Sequence, residues 1–91
     1  MRTIFKFTVY VRGNEILLPV GAELRLFASQ IDEHYTEHLR LWFEVETEAD
    51  FSETRTFHVV PTDGVIPAGG VWRASCRTEN GTDIWHLYEI S

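Results

Sequence analysis

The stretch Trp72-Arg73-Ala74-Ser75-Cys76-Arg77-Thr78-Glu79-Asn80-Gly81-Thr82-Asp83-Ile84-Trp85-His86-Leu87-Tyr88 carries the clearest fold signal in the chain. Asn-Gly is the dipeptide best suited to a two-residue primed turn, because both central residues need positive φ. With that turn, Cys76 faces Trp85 and Ala74 faces Leu87, and with Trp72 they form an apolar side. On the reverse side Arg77 meets Ile84, Ser75 meets His86 and Arg73 meets Tyr88. Apolar residues meet apolar residues along the ladder, as a β-hairpin requires.

Working outward, the same period of two recurs. Leu39, Leu41, Phe43 and Val45 alternate with Arg40, Trp42, Glu44 and Glu46, which predicts a strand over 39–47. Residues 54–60 form another, with Phe57 and Val59 opposite His58. Near the start, Phe5, Phe7, Val9 and Val11 alternate with Ile4, Lys6, Thr8 and Tyr10. Gly13-Asn14 follows and suggests a first hairpin, in which Arg12 faces Glu15, Val11 faces Ile16, Val9 faces Leu18 and Phe7 faces Val20. A strand over 23–30 should turn Leu24, Leu26 and Ala28 to one side. Polar residues 32–38 and acidic residues 48–52 read as loops, and residues 61–70 as a run of turns. No segment keeps a helical period. About seven short strands in one 91-residue domain predict an all-β fold, a small antiparallel β-sandwich or partly open barrel.

Composition narrows the function classes. Formal charge is −6, which argues against duplex nucleic acid as a partner, since that binding rests on phosphate neutralisation. No apolar run reaches the roughly 20 residues of a transmembrane helix, so no membrane partner is expected. The first seven residues alternate and do not form a signal peptide. A single cysteine, Cys76, suits a reducing compartment, so a cytoplasmic setting in a bacterial host cell is expected. Seven of the eight basic residues are Arg, with Lys6 the one Lys.

The chain resembles a family of small uncharacterised proteins of bacteriophages, prophages and their hosts. The resemblance rests on Leu18-Pro19-Val20-Gly21-Ala22, on Gln30 at a strand end, and on Leu41-Trp42 in a strand running to Val45. It continues through Arg55-Thr56-Phe57-His58-Val59, through Thr62-Asp63-Gly64-Val65-Ile66-Pro67 with one residue inserted, and through Trp85-His86-Leu87-Tyr88-Glu89. The loop at 32–38 and the stretch Arg73 to Arg77 depart from the pattern. What the resemblance implies is a compact all-β unit from a phage-like genome. It brings no catalytic residues.

Several groups invite chemistry. His34 and His38 stand four apart beside Glu33 and Glu37, but in a loop between strands, where a solvated surface explains them. Glu44 and Glu46 face outward beside an acidic connection and read as residues that keep a sheet edge soluble. Ser75 beside His86 lacks an orienting acid and a glycine-rich oxyanion turn, so it reads as a structural hydrogen bond. Cys76 faces the apolar side as an inert thiol. No nucleophile–base–acid set, metal spacing or phosphate loop is readable, which points away from an enzyme and from any cofactor.

The remaining constellation combines Arg73, Ser75, Arg77, His86 and Tyr88 on one side of the last hairpin, with Arg40 and Trp42 joining if their strand lies alongside. Arginine forks, rings and hydroxyls suit a protein interface first and a planar phosphorylated ligand second, and a plain solvated sheet face with Arg–Glu pairs would carry the same residues. The sequence therefore points to an accessory binding protein whose partner is a host or phage protein or a second copy of itself. The alternative is sequestration of a nucleotide-derived small molecule in a counter-defence role.

Overall fold

The structure, a computed structural model, describes residues 1–79 and 81–90. Seven strands follow in chain order: β1 (Arg2–Val9), β2 (Arg12–Pro19), β3 (Glu23–Ile31), β4 (Glu37–Glu46), β5 (Phe51–Pro61), β6 (Gly70–Arg77) and β7 (Ile84–Ile90). They form a three-stranded sheet, β1-β4-β3, and a four-stranded sheet, β2-β5-β7-β6, with every pairing antiparallel. The sheets pack as a sandwich and close no barrel.

The inward side chains are those the alternation selects. Leu39, Leu41, Phe43 and Val45 of β4 meet Phe57 and Val59 of β5 and Leu87 of β7 in one core, which also takes Val9, Ile16 and Leu18. Among the described residues, Phe43 and Phe57 are the largest of the fully enclosed side chains. The domain is a slab of 39 × 36 × 16 Å with a radius of gyration of 13.5 Å. A rounder domain of this length would have a radius near 12 Å. The flattening leaves two broad sheet faces toward solvent.

The last hairpin keeps the expected register at Cys76–Trp85, Ala74–Leu87, Arg77–Ile84 and Ser75–His86. Thr78 N–H donates to Asp83 O at 2.9 Å and closes the loop, whose Asn80 lies outside the described residues. Arg73 does not pair with Tyr88. A bulge between Trp72 and Ala74 puts Trp72 opposite Tyr88 instead, so Trp72 leaves the core side.

The expected first hairpin does not form. β1 pairs with β4 and β2 with β5, so residues 10–11 carry the chain from one sheet to the other. Asn14 directs this crossing with its side chain. Its Oδ1 accepts the Tyr10 N–H at 2.9 Å, and its Nδ2 donates to the carbonyls of Tyr10 at 2.8 Å and Arg12 at 3.1 Å. Gly13 is a strand residue over which the His58 ring lies; a Cβ there would come within 3.0 Å of Nε2.

Arg12 absorbs the change of direction at φ 104°. That conformation strains a residue with a Cβ and suits glycine. Arg12→Gly should therefore stabilise the domain by about 1 kcal/mol after the added flexibility of the unfolded chain is set against the relief. A thermal melt should show the midpoint rising by roughly 4–8 °C. An unchanged or lower midpoint would remove strain from the account.

Three further expectations are corrected. In β3 a bulge between Leu24 and Leu26 turns Phe27 into the core and Leu26 outward. β4 begins at Glu37 and β5 at Phe51, so the 32–38 loop is shorter than its polar run and the acidic stretch is partly strand. β4 is the central strand of its sheet, so Glu44 and Glu46 protect no edge.

All three prolines open β-turns. Ala22 N–H donates to Pro19 O, Gly64 N–H to Pro61 O and Gly70 N–H to Pro67 O, at 2.9–3.2 Å. The third residue of each turn, Gly21, Asp63 or Gly69, has positive φ. This is why the motif residues around 19–22 and 61–70 stand in that order.

Candidate functional site

The outer side of the four-stranded sheet gathers Ser75, Arg77, His86 and Tyr88, as the sequence suggested. Register places Gly13, His58, Tyr88 and Trp72 in one row across the sheet, and Val60, His86 and Ser75 in the next. Trp72 Nε1–H donates to Ser75 Oγ at 3.0 Å, and Ser75 Oγ lies 2.7 Å from His86 Nδ1. His86 Nε2 lies 3.0 Å from Thr62 Oγ1, which donates to Ile84 O at 3.4 Å. The carbonyl can only accept, so Thr62 uses its proton there and accepts from His86. Nε2 of His86 then carries the hydrogen, and Nδ1 accepts from Ser75. One directed chain of donors thus holds four side chains flat on the sheet. Thr62 reaches His86 because the Pro61–Gly64 turn folds it back over β7.

This chain contains a Ser–His pair but no carboxylate, and Trp72 occupies an acceptor site on Ser75 Oγ. Its chemistry is that of a lock on a surface. The sequence puts Trp72 on the apolar side of the hairpin and gives Thr62 no place in the site. A bulge moved the first, and the second was visible only as part of a turn motif.

Arg73 is not on this surface. It turns to the inner side, where its Nε donates to Glu89 at 2.9 Å. Glu89 also accepts two bonds from Arg55, at 2.6 and 2.9 Å, and Arg55 donates to Ala22 O at 2.8 Å. The Arg55 guanidinium sits 5.5 Å from the Phe43 ring centre and 5.4 Å from that of Phe57. Arg55, then burial opposing it, then Arg73 set the Glu89 carboxyl, with a net pull below the usual range.

Arg40 and Trp42 lie on the opposite side of the sandwich, on the outer face of the three-stranded sheet. There Lys6, Trp42 and Leu26 form one row and Thr8, Arg40 and Ala28 the next. One end of this face is an ion-pair ladder. Arg2 and Arg25 both bind Glu44, Arg25 also binds Glu23 at 2.7 Å, and the amino terminus binds Glu46. Arg2 first and Arg25 second hold the Glu44 carboxyl low. Lys6 and Arg40 have no carboxylate partner among the described residues, and the buried Nε of Arg40 has no hydrogen-bond partner there.

The single constellation expected from the sequence is therefore three separate groups. His34 and His38 also separate: His38 Nε2 lies 2.8 Å from Asp32 Oδ2, while exposed His34 lies by Glu33. Cys76 is half-buried, and burial followed by Glu37 pushes its thiol up to about 11.

These features define a small two-sheet β-sandwich with functional groups spread over its faces. The chain belongs to the family described as Domain of unknown function (DUF7352), whose model matches residues 1–91. Comparison with curated proteins and with solved structures returned no match. Among the described residues, no helix is long and apolar enough to cross a membrane.

Proposed function

We propose that the protein is a binding module that works by association with another protein, through the outer face of the three-stranded sheet. Its setting, on the motif resemblance, is a phage or prophage product in the bacterial cytoplasm. The partner is a host or phage protein, a second copy of this chain included. The observation that carries this reading is that Lys6 and Arg40, side by side with Trp42 on one face, hold no carboxylate among the described residues, and that the Arg40 Nε is buried without an acceptor. Arg2, Arg25, Arg55 and Arg73 each hold a carboxylate, while Arg12 and Arg77, also without one, stand singly at strand ends of the other sheet. A buried guanidinium nitrogen without an acceptor costs on the order of 1–3 kcal/mol, and a partner's carboxylate on the other nitrogens of the same guanidinium would offset it. Trp and Arg are the residues that dominate protein interfaces, and a flat face suits a protein surface better than a small molecule. The partner surface should be acidic.

The test compares wild type with Arg40→Glu/Trp42→Ala by light scattering, and by capture from host cells. Support would be a wild-type assembly, or a captured partner, that is lost in the variant and weakened by salt. A monomeric wild type that retains the same proteins as the variant would overturn the reading.

A further inference from the structure

At one end of the slab the sheets part around a cavity of about 430 Å³, within the size range of small-molecule sites. At Thr8 it adjoins the association face, but Arg40 and Trp42 do not line it. Val9, Val11, Leu39 and Trp85 supply its apolar lining, together with the exposed Tyr10. Glu37, His38 and Tyr10 are the titratable side chains that line it, and no Lys or Arg does. His38 is engaged with Asp32.

The rim is held by bonds that need no ligand. Asn14 ties the 10–12 wall, as described above. Asp32 Oδ1 accepts the backbone N–H groups of His34 at 2.8 Å and Thr36 at 3.0 Å, fixing the second wall. Glu37 joins the third: its Oε2 accepts from the Ser29 hydroxyl and from Glu79 N–H at 2.6 Å. Its Oε1 has no partner among the described residues. A site with preset walls loses little ordering entropy on binding.

The polarity of this cavity selects its occupant. A half-buried carboxylate with one oxygen available, and no cation in the lining, repels an anion in a chain of charge −6. The same carboxylate attracts an ammonium, and the indole of Trp85 offers a face to a ring or a cation. We propose that the cavity binds a small ring-bearing amine, its ring between Trp85 and Leu39 and its ammonium on Glu37 Oε1.

The test uses three probes of one shape and different charge: 2-phenylethylamine, 2-phenylethanol and phenylacetate. Each is titrated into the ¹⁵N-labelled full chain. The Trp85 indole N–H is the reporter, assigned with Trp85→Phe. The amine should shift Trp85, Val9 and Leu39, and bind about tenfold tighter than the alcohol, as a charge-assisted hydrogen bond implies. Phenylacetate should bind weakest. Glu37→Gln should bring the amine to the affinity of the alcohol. Phenylacetate binding as tightly as the amine, shifts that miss Trp85, or an unchanged amine affinity in Glu37→Gln would overturn the proposal. Should Glu37→Gln fail to fold, the order of the three probes on wild type decides.

Discussion

Phe43→Ala should destabilise the domain by about 3–5 kcal/mol, a large share of its total stability. Phe43 is fully enclosed at the centre of β4. Its ring contacts Phe7 edge-on at 5.9 Å and Phe57 at 5.8 Å between centroids, and the Arg55 guanidinium rests over it. Truncation removes a ring that bridges both sheets and leaves a cavity that two flat layers cannot collapse to fill. A domain of this length has only about 5–14 kcal/mol in total. Trp85→Ala makes the contrast. The hairpin register puts Trp85 on the apolar side, where a large ring reads as core, but it is half-buried beside an open cavity, and its loss should cost about 2 kcal/mol. Urea titration of both variants reads the difference. Equal losses, or a larger one at Trp85, would mean the core is misplaced.

That contrast marks what the sequence can reveal. Period-two alternation tells which side chains of a strand turn inward, and it selects Leu41, Phe43, Phe57, Val59 and Leu87 correctly. It cannot tell which strands pair, because any two apolar sides match. The Gly13-Asn14 hairpin satisfies every local rule, yet Val11 and Val20 end up exposed while β1 and β2 sit in different sheets. What decides against it is non-local: eight residues of β1 pair with β4, and Asn14 prefers its own crossing. The Asn80-Gly81 register succeeds because its partners are adjacent in both sequence and space.

Bulges account for most of the remaining differences. One extra residue at Arg25 or at Arg73 reverses the sides of everything beyond it. In β3 the apolar doublet Leu26-Phe27 is a visible break in alternation. In β6 nothing comparable warns that Trp72 will turn out and Arg73 in. The candidate face dissolves for this reason. Its hydroxyl–imidazole half survives as a locked row, while Arg73 goes to Glu89 and Arg40 belongs to the other sheet.

The Arg55–Glu89 pair was legible and its parity gives it away. Arg55 shares its side of β5 with Phe57 and Val59, and Glu89 shares its side of β7 with Trp85 and Leu87. Opposite charges at two inward positions should find each other. Their side chains are only 17% and 12% exposed, and Glu89 binds both Arg55 and Arg73. Glu89→Leu should therefore cost on the order of 3 kcal/mol, because it takes the close carboxylate from Arg55 over two phenylalanine rings and leaves only Glu53 at 4.0 Å and the Ala22 carbonyl. Arg55→Met combined with Glu89→Leu should recover most of that loss, since apolar replacements need no partner. A double variant no more stable than the single one would mean the charge pair is not what matters here.

The pH profile supplies a second, independent reading of the same pair. Glu89 is held below its ordinary value of 4.5, by Arg55 first and Arg73 next. A carboxyl with a depressed folded-state pKa stabilises fully above the unfolded value and loses that contribution as pH falls through the folded one. The advantage of wild type over Glu89→Gln should thus be constant near neutrality and shrink below about pH 4.5. A gap that persists unchanged into strong acid would assign the loss in Glu89→Leu to shape rather than charge. The two experiments then separate what Glu89 fills from what it neutralises.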